Sequence, residues 1–350
     1  MKMIRLWRII FIYDFERWNR TGQKQSIGVL FSPYLFYAIG NMELTPIQQA
    51  ILKTISHFDV MNYPLTLIEL LGRLTIKTDL MTLKTELDKL VNLKIITVEA
   101  GFYFLSGREK ILQVRHHNYR LFLKKIRIAE SYVYWLSMFP WIKAIAIYGS
   151  LSYKYSRNGS DIDLFFITSA GRVWSARFLI NSILKLFKLR PIPGKENNAN
   201  KLCVSYWIDE TSLDLSISNY ENDYNCYYSI NNFIFLFGNS EIITNFFSIN
   251  NWLKYQLPNW QPIIFINQKE NNSFFKKIME LILGLLPEKY YKKIQEILLP
   301  KYYHLLNDGK RVILDDHTIK LHQGNKRQES NRLFQENYAT TLAKLKNSNA

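Results

Sequence analysis

Apolar residues recur along this chain with two different periods, which predict where helices and strands lie. Residues 45–58, 64–74 and 78–96 show the helical period of three to four, and Thr45-Pro46 is a typical helix start. Two short strands around an Ala-Gly turn follow in residues 96–105. Residues 107–139 then predict one long linking helix, whose basic outer face includes Arg115 and Lys125.

The next part of the chain changes to strand-like patterns. Residues 142–148 and 162–168 are apolar runs rich in β-branched and aromatic side chains, with turn formers at residues 158–160 between them. An amphipathic helix is predicted over residues 171–190 and a third strand over residues 202–208. The remainder reads as mainly helical, with one short strand pair near residues 312–321.

Two acidic residues open the second of these strands. Successive strand side chains point to opposite faces, so Asp161 and Asp163 leave the strand on the same side. Two carboxylates this close repel unless a cation lies between them, and Mg²⁺ prefers such oxygen ligands together with substrate phosphates. At the end of the preceding strand, Gly149 allows close backbone approach and Ser150 begins a helical turn that favours an anion. The pattern therefore predicts a phosphate site facing a metal site.

A strand ending in Gly-Ser, followed by Asp-x-Asp opening a second apolar strand, resembles the signature of the DNA polymerase β-like nucleotidyltransferase superfamily, particularly its minimal members. The resemblance implies that Gly149 and Ser150 hold a nucleotide triphosphate and that Asp161 and Asp163 hold Mg²⁺, with Mn²⁺ as a substitute. It covers about a quarter of the chain. The alternative for the two acids is structural, with Asp161 capping the strand and Asp163 as an edge charge.

Relatives in this superfamily usually carry a third acid on a later strand, where it deprotonates the attacking hydroxyl. Asp214, in the segment Ser-Leu-Asp-Leu-Ser-Ile, has the expected local setting. By order, however, the third strand should be residues 202–208, which has no acid inside it and only Asp209 at its end. Asp214, Asp209 and the absence of a third acid therefore all stay open.

Together these patterns predict an α+β protein with a polymerase β-like nucleotidyltransferase domain, made of a small mixed sheet with flanking helices. Three helices and a hairpin also predict a winged-helix-like module. The expected divisions are an extension over residues 1–41, the winged-helix-like module over 42–106, the linking helix over 107–139, the nucleotidyltransferase domain over 140–225 and a mainly helical C-terminal region over 226–350.

Composition narrows the class of protein without naming a partner. The net charge of +16 over 350 residues is compatible with nucleic-acid binding, but the abundance of Lys, Asn, Ile and Tyr is equally typical of AT-rich genomes. Cys203 and Cys226 have no metal-ligand spacing, which favours a reducing cytoplasm.

No apolar stretch reaches membrane-spanning length, so we expect no membrane partner. Residues 1–41 show little pattern, and we expect them to be a dispensable extension explained by translation starting at Met42.

The expected function is Mg²⁺-dependent transfer of a nucleoside monophosphate from a nucleoside triphosphate to an acceptor hydroxyl, with release of pyrophosphate. The acceptor stays open among protein, small molecule and RNA. Two alternatives remain: a catalytically inert nucleotide sensor on the same fold, and a DNA-binding regulator that uses the winged-helix-like module. DNA binding is not favoured, because the third helix of that module carries acidic as well as basic side chains.

Overall fold

Two β-sheets and the helices packed on them make up the part of the chain that the structure describes. The computed structural model describes residues 44–192, 195, 197–216, 224–262, 274–310, 312–321 and 326–347. The extension expected over residues 1–41 lies outside these ranges. From Leu44 onward the chain forms one compact unit of mixed α+β structure.

The first part of this unit contains three helices and a three-stranded antiparallel sheet. Its elements are α1 (Pro46–Asp59), β1 (Leu65–Thr66), α2 (Leu67–Leu71), α3 (Leu80–Asn92), β2 (Ile96–Glu99) and β3 (Phe102–Leu105). The predicted cap of α1 is present as a capping box between Thr45 and Gln48. The hairpin turns at Ala100 and Gly101, whose φ angles of 50° and 79° give a tight two-residue turn. The sheet order is β1-β3-β2, so β1 adds a strand to the predicted hairpin.

The remaining elements surround a larger sheet. In chain order they are α4 (Ile111–Leu136), β4 (Ile142–Ile147), β5 (Ile162–Thr168), α5 (Val173–Leu186), β6 (Leu202–Asp209), α6 (Tyr224–Asn231), β7 (Ile234–Gly238), α7 (Ser240–Ile249), α8 (Leu253–Gln256), α9 (Phe274–Gly284), α10 (Glu288–Leu298), α11 (Lys301–Leu305), β8 (Val312–Leu314), β9 (Thr318–Leu321) and α12 (Lys326–Asn347). The strands predicted at residues 142–148, 162–168 and 202–208 are thus found as β4, β5 and β6. The long helix is found as α4.

The larger sheet has six strands in the order β7-β4-β5-β6-β9-β8. Strand β5 pairs antiparallel with β4 and parallel with β6, while the outer pairings are all antiparallel. The parallel pair requires a crossover, which the helix α5 provides between β5 and β6. The sheet is therefore mixed, and β5 and β6 start at the same edge.

Both faces of the larger sheet are buried, which explains why its central strands are almost continuously apolar. The first face carries Ala144, Ala146, Phe165 and Ile167, which pack in one cluster with residues of α1, α6 and α7. The second face carries Ile145, Ile147, Leu164, Phe166 and Trp207, which pack in another cluster with residues of α4, α5 and α10. Residues of opposite parity thus separate to opposite sides, as the period of two predicts.

Two expectations change with the fold. The larger sheet does not end at residue 225, because β7 and the predicted strand pair, found as β8 and β9, also belong to it. The pairings of β7 with β4 and of β9 with β6 are long-range and leave little local signal. The prediction that Arg115 and Lys125 lie on the exposed outer face of the long helix is wrong, since these side chains are only 5% and 4% exposed.

No helix among the described residues combines the length and apolarity needed to cross a lipid bilayer.

A buried histidine gives the fold a pH-dependent stability. His57 on α1 is 2% exposed among the rings of Phe58, Tyr228 and Phe334, and neither ring nitrogen has a hydrogen-bond partner. Burial lowers the pKa of His57 from 6.5 to about 4. Between these two pH values the unfolded chain binds the proton and the folded chain does not. The stability contributed by neutral His57 is therefore lost progressively as pH falls below 6.5.

We expect the free energy of unfolding to fall between pH 7 and pH 5 by about 2 kcal/mol more in the wild type than in His57→Phe. Urea unfolding at several pH values measures the difference. His117→Gln is the matched control, because His117 is exposed on α4 and its loss should leave the pH dependence unchanged. Equal pH dependence in wild type and His57→Phe would contradict the assignment.

Candidate functional site

Three strand ends meet at one edge of the larger sheet. Because β4 and β5 are antiparallel, with Ile147 opposite Leu164, the end of β4 lies beside the start of β5. Because β5 and β6 are parallel, with Asp163 opposite Cys203, the start of β6 lies there too. The main-chain N–H of Tyr148 donates to the carbonyl of Asp163 (3.2 Å), which fixes the turn after β4 against the acidic strand. This edge is the candidate site.

Gly149 occupies a position that only glycine can hold without disturbance. Its φ angle is +69°, in the left-handed region that disfavours side chains. A Cβ atom built on Gly149 would lie 2.6 Å from Oδ2 and 3.4 Å from Cβ of Asp163. The backbone of the Gly-Ser turn therefore lies directly against the second carboxylate of the Asp-x-Asp pair.

Ser150 is exposed in a 3₁₀ helix of five residues, Gly149–Tyr153. The helix dipole of so short a segment is small, so the attraction expected from it is weaker than in a full helix. The first N–H groups of a helical turn nevertheless have no partner within the turn. Ser150 thus offers an exposed hydroxyl and main-chain donors next to the acids.

Asp161 and Asp163 do converge, and the third member of their group is Cys203. One ligand atom from each of the three lies within 4.8 Å of the others, and all three residues are half-buried. Among the described residues they form the one group of this kind. Cys203 stands opposite Asp163 on β6, on the strand where the superfamily resemblance would place a third acid.

The surroundings of Cys203 keep its thiol protonated. Burial raises the pKa of Cys203, and the negative charge of Asp163 raises it further. The thiol donates to Oγ of Ser205 (3.3 Å), which also lies 2.8 Å from the Tyr148 hydroxyl. A protonated thiol is a weak base, so Cys203 does not replace a catalytic carboxylate in neutral solution.

Lys125 brings a buried positive charge to the loop that precedes the acids. Its Nζ donates to the main-chain oxygen of Arg157 (2.9 Å), to Oγ of Ser160 (2.9 Å) and to the main-chain oxygen of Ser160. Burial lowers the pKa of Lys125, while the charges of Asp161 and Asp163 oppose that change. Lys125 therefore anchors the loop and offsets part of the negative charge of the acid pair.

The N-terminal helices contact the same turn from the first face of the sheet. The Tyr63 hydroxyl lies 2.7 Å from the main-chain oxygen of Tyr153, the last residue of the 3₁₀ helix, and 2.8 Å from Oε1 of Glu69, so its one proton is shared between these acceptors. The guanidinium of Arg115 lies 3.8 Å from the centre of the Tyr63 ring and pairs with Glu69 at 2.9 Å. This contact is buried, so the three-helix part of the chain helps to position the Gly-Ser turn.

The two alternative third acids lie elsewhere. Asp209 ends β6 at the opposite edge of the sheet, about 20 Å from Cys203 at the usual rise per residue. There it accepts hydrogen bonds from Gly171, Thr211 and His317, which lower its pKa against the opposing effect of burial. Asp214 is exposed, accepts from the N–H of Ser216 (2.8 Å) and does not belong to the group of Asp161 and Asp163.

Sequence reasoning missed the contributions of Cys203 and Lys125, although both leave a signal. Cys203 and Ser205 interrupt an apolar strand at alternate positions, which marks one polar face. Lys125 falls within the apolar stripe of α4, three residues after Phe122 and four before Ala129. A lysine in such a stripe is buried, and it then needs polar partners such as those the 157–160 loop supplies.

The donor set fits a hard divalent cation. Two converging carboxylates at the start of β5, beside a turn that can receive phosphate oxygens, are the ligands Mg²⁺ and Mn²⁺ prefer. The protonated thiol of Cys203 adds no oxygen ligand. Asp161 and Asp163 are therefore the residues that would hold the metal.

Comparison of the chain with models of known protein families, with curated proteins and with solved structures finds no match.

Substituting Gly149 by Ala should damage the cation site more than the fold. The Cβ would force the Asp163 carboxylate to rotate away, so we expect Mn²⁺ affinity to fall at least about tenfold, while the left-handed backbone costs about 1 kcal/mol of stability. Electron paramagnetic resonance titration with Mn²⁺ and urea unfolding measure the two effects. Gly101→Ala is the control, because Gly101 also has a positive φ but meets no atom within 4 Å. Equal Mn²⁺ affinity in both variants would count against the site.

Replacing Lys125 by Met should destabilise the loop in a way that a divalent cation partly reverses. The change removes the Lys125 donor from the main-chain oxygen of Ser160, while the oxygen of Arg157 keeps the N–H of Ser160 (3.2 Å). We therefore expect a loss of about 2 kcal/mol in the free energy of unfolding. Because the acid pair also loses a buried positive charge, added Mg²⁺ should stabilise Lys125→Met more than wild type. Urea unfolding with and without Mg²⁺ tests both effects. Lys124→Met, on the exposed side of the same helix, should behave as wild type; identical behaviour of the two variants would rule out the role of Lys125.

Proposed function

We propose that this chain binds a nucleoside triphosphate with Mg²⁺ and transfers its nucleoside monophosphate to an acceptor hydroxyl, releasing pyrophosphate. The single observation that carries the proposal is the direct contact between the Gly149 turn and the Asp163 carboxylate. A triphosphate held by the turn would place its oxygens next to both acids. The proposed fold is correspondingly that of a polymerase β-like nucleotidyltransferase, joined to a winged-helix-like module. Nucleoside triphosphates are abundant in the cytoplasm, where we place the reaction.

Some residues of the site would bind the triphosphate and the metal, and Lys125 would position them. The main chain of Gly149 and Ser150 would hold the triphosphate, and Asp161 and Asp163 would hold the metal. Bound Mg²⁺ would neutralise the charge that develops on the phosphates as the bond to pyrophosphate breaks. The acceptor oxygen forms a bond to the α-phosphorus in line with that leaving group. Lys125 would keep the 157–160 loop, and therefore Asp161, in place.

The described residues give the least support to one step of this reaction, the removal of the proton from the acceptor hydroxyl. Within the described residues no third carboxylate joins the pair, and Cys203 occupies the neighbouring strand position with its thiol protonated. This observation favours a second candidate function, a nucleotide sensor that binds NTP and metal without efficient transfer. In that case binding would act on the N-terminal helices through the contact between Tyr63 and Tyr153.

A DNA-binding regulator receives no comparable support. On α3, Lys84 pairs with Asp88 and Lys89 pairs with Glu86, so its lysines are neutralised along the helix. Such a surface lacks the excess positive charge that attracts a phosphate backbone. A positioning role for the winged-helix-like module fits its buried contact with the site better.

The first test is transfer of label from α-³²P-labelled ATP, GTP, CTP and UTP into a cell extract, with Mg²⁺ or Mn²⁺. We expect labelled product with wild type and none with Asp161→Asn/Asp163→Asn. The mass of the labelled species identifies the acceptor as protein, small molecule or RNA. Urea unfolding without metal is the folding control, because a shared midpoint for the two proteins excludes misfolding as the cause of lost transfer.

The same assay separates the two candidate functions. Absence of label, combined with metal-dependent nucleotide binding that the double variant loses, would leave the sensor. Cys203→Asp then supplies a carboxylate at the neighbouring strand position, and a gain of transfer in this variant would indicate that only the base is missing. Absence of nucleotide binding in wild type would overturn both candidates.

A further inference from the structure

Two arginines, one in α5 and one just after it, lack an acidic partner among the described residues. Arg177 on α5 is 4% exposed, and Arg190, just beyond the end of α5, is half-buried. The Nε atom of each is buried and has no hydrogen-bond partner. Within the described ranges, neither guanidinium is paired with a carboxylate. The main-chain oxygen of Leu189, which precedes Arg190, accepts from the N–H of Leu202 (2.8 Å), and Leu189 packs in the same cluster as the buried face of α5. Both positive charges therefore lie in the region where α5 packs behind β6.

The hydrogen-bond partner of Arg177 among the described residues is neutral. Nη1 of Arg177 donates to Oε1 of Gln295 on α10 (2.6 Å), and Nε2 of Gln295 donates to the main-chain oxygen of Trp174 (2.6 Å). Tyr303 on α11 lies close enough to both arginines to affect them electrostatically. Burial, and then the charge of Arg190, lower the pKa of Arg177 to about 9, so Arg177 stays charged at neutral pH.

Buried charges are normally paired, because an isolated ion loses its hydration without compensation. The repulsion between Arg177 and Arg190 adds to that cost. An anion between them would remove both penalties at once. Guanidinium groups present N–H donors in a planar fork that matches the oxygens of phosphate.

We propose that Arg177 and Arg190 form an oxyanion site that binds a phosphate group, as free phosphate or as a phosphomonoester. The site uses neither the Gly149 turn nor the acid pair, and it does not depend on the proposed nucleotidyl transfer. Because Arg190 follows Leu189, which is hydrogen-bonded to Leu202, the bound phosphate would lie beside the start of β6.

The test measures thermal unfolding in EDTA with inorganic phosphate, with phenyl phosphate, or with NaCl at equal ionic strength. We expect phosphate to raise the melting temperature of wild type by about 5 °C over NaCl when the site is saturated. Arg190→Gln should lose most of this rise. Arg120→Gln, which removes an exposed charge from α4, should keep it. A response to phenyl phosphate as well would identify phosphomonoesters as ligands, and a response to inorganic phosphate alone would restrict the site to the free ion.

Additional variants distinguish the proposed arginine site from the proposed triphosphate site at the Gly149 turn. Asp161→Asn/Asp163→Asn should retain the phosphate response, because the arginines do not use the metal. Loss of the response in this variant, its persistence in Arg190→Gln, or its absence in wild type would each overturn the proposal. If Arg190→Gln does not fold, ³¹P line broadening with wild type and Arg190→Lys decides instead. The Lys variant keeps the charge but loses the fork, so its broadening should be weaker, and equal broadening would overturn the proposal.

Discussion

The pairing of β5 with two neighbours of opposite direction is the constraint on which the candidate site depends. Its antiparallel partner β4 ends where β5 begins, and its parallel partner β6 begins there too. Hydrogen bonding along both edges fixes the register, so Gly149, Asp163 and Cys203 meet although they are distant in sequence. A slip of one residue in β5 would turn Asp163 to the other face and bury it among the apolar residues of the second cluster.

Charge balance explains much of what surrounds this edge. Two half-buried carboxylates would repel each other, and the ammonium group of Lys125, which reaches the adjacent loop from α4, offsets part of that repulsion. The same negative charge helps to keep the Cys203 thiol protonated. In the helices behind β6 the imbalance is reversed, since Arg177 and Arg190 are positive and, among the described residues, lack an acid. The two ligands proposed above carry the opposite charges, a cation at the acids and a phosphate at the arginines.

The N-terminal helices belong to the same packing system as the larger sheet. Residues of α1 lie in the cluster that covers the first face, and Tyr63 reaches the 3₁₀ helix that begins at Gly149. Arg115 on α4 stacks on that tyrosine and pairs with Glu69, which joins the long helix to the same contact. A displacement of the Gly-Ser turn would therefore displace residues of these helices, because a close-packed interior transmits strain.

Local patterns were sufficient to predict the helices from α1 to α5, the hairpin and the strands β4, β5 and β6, because caps, turns and apolar periods act over a few residues. They were also sufficient to bring Asp161 and Asp163 together, although Asp161 lies one residue before β5, and so to nominate residues for a cation and a phosphate. The strand β7 and the buried positions of Arg115 and Lys125 were not predicted, since long-range pairing and packing determine them. The place of Cys203 beside the acids likewise follows from tertiary structure, because the parallel register of β5 and β6 joins segments about forty residues apart.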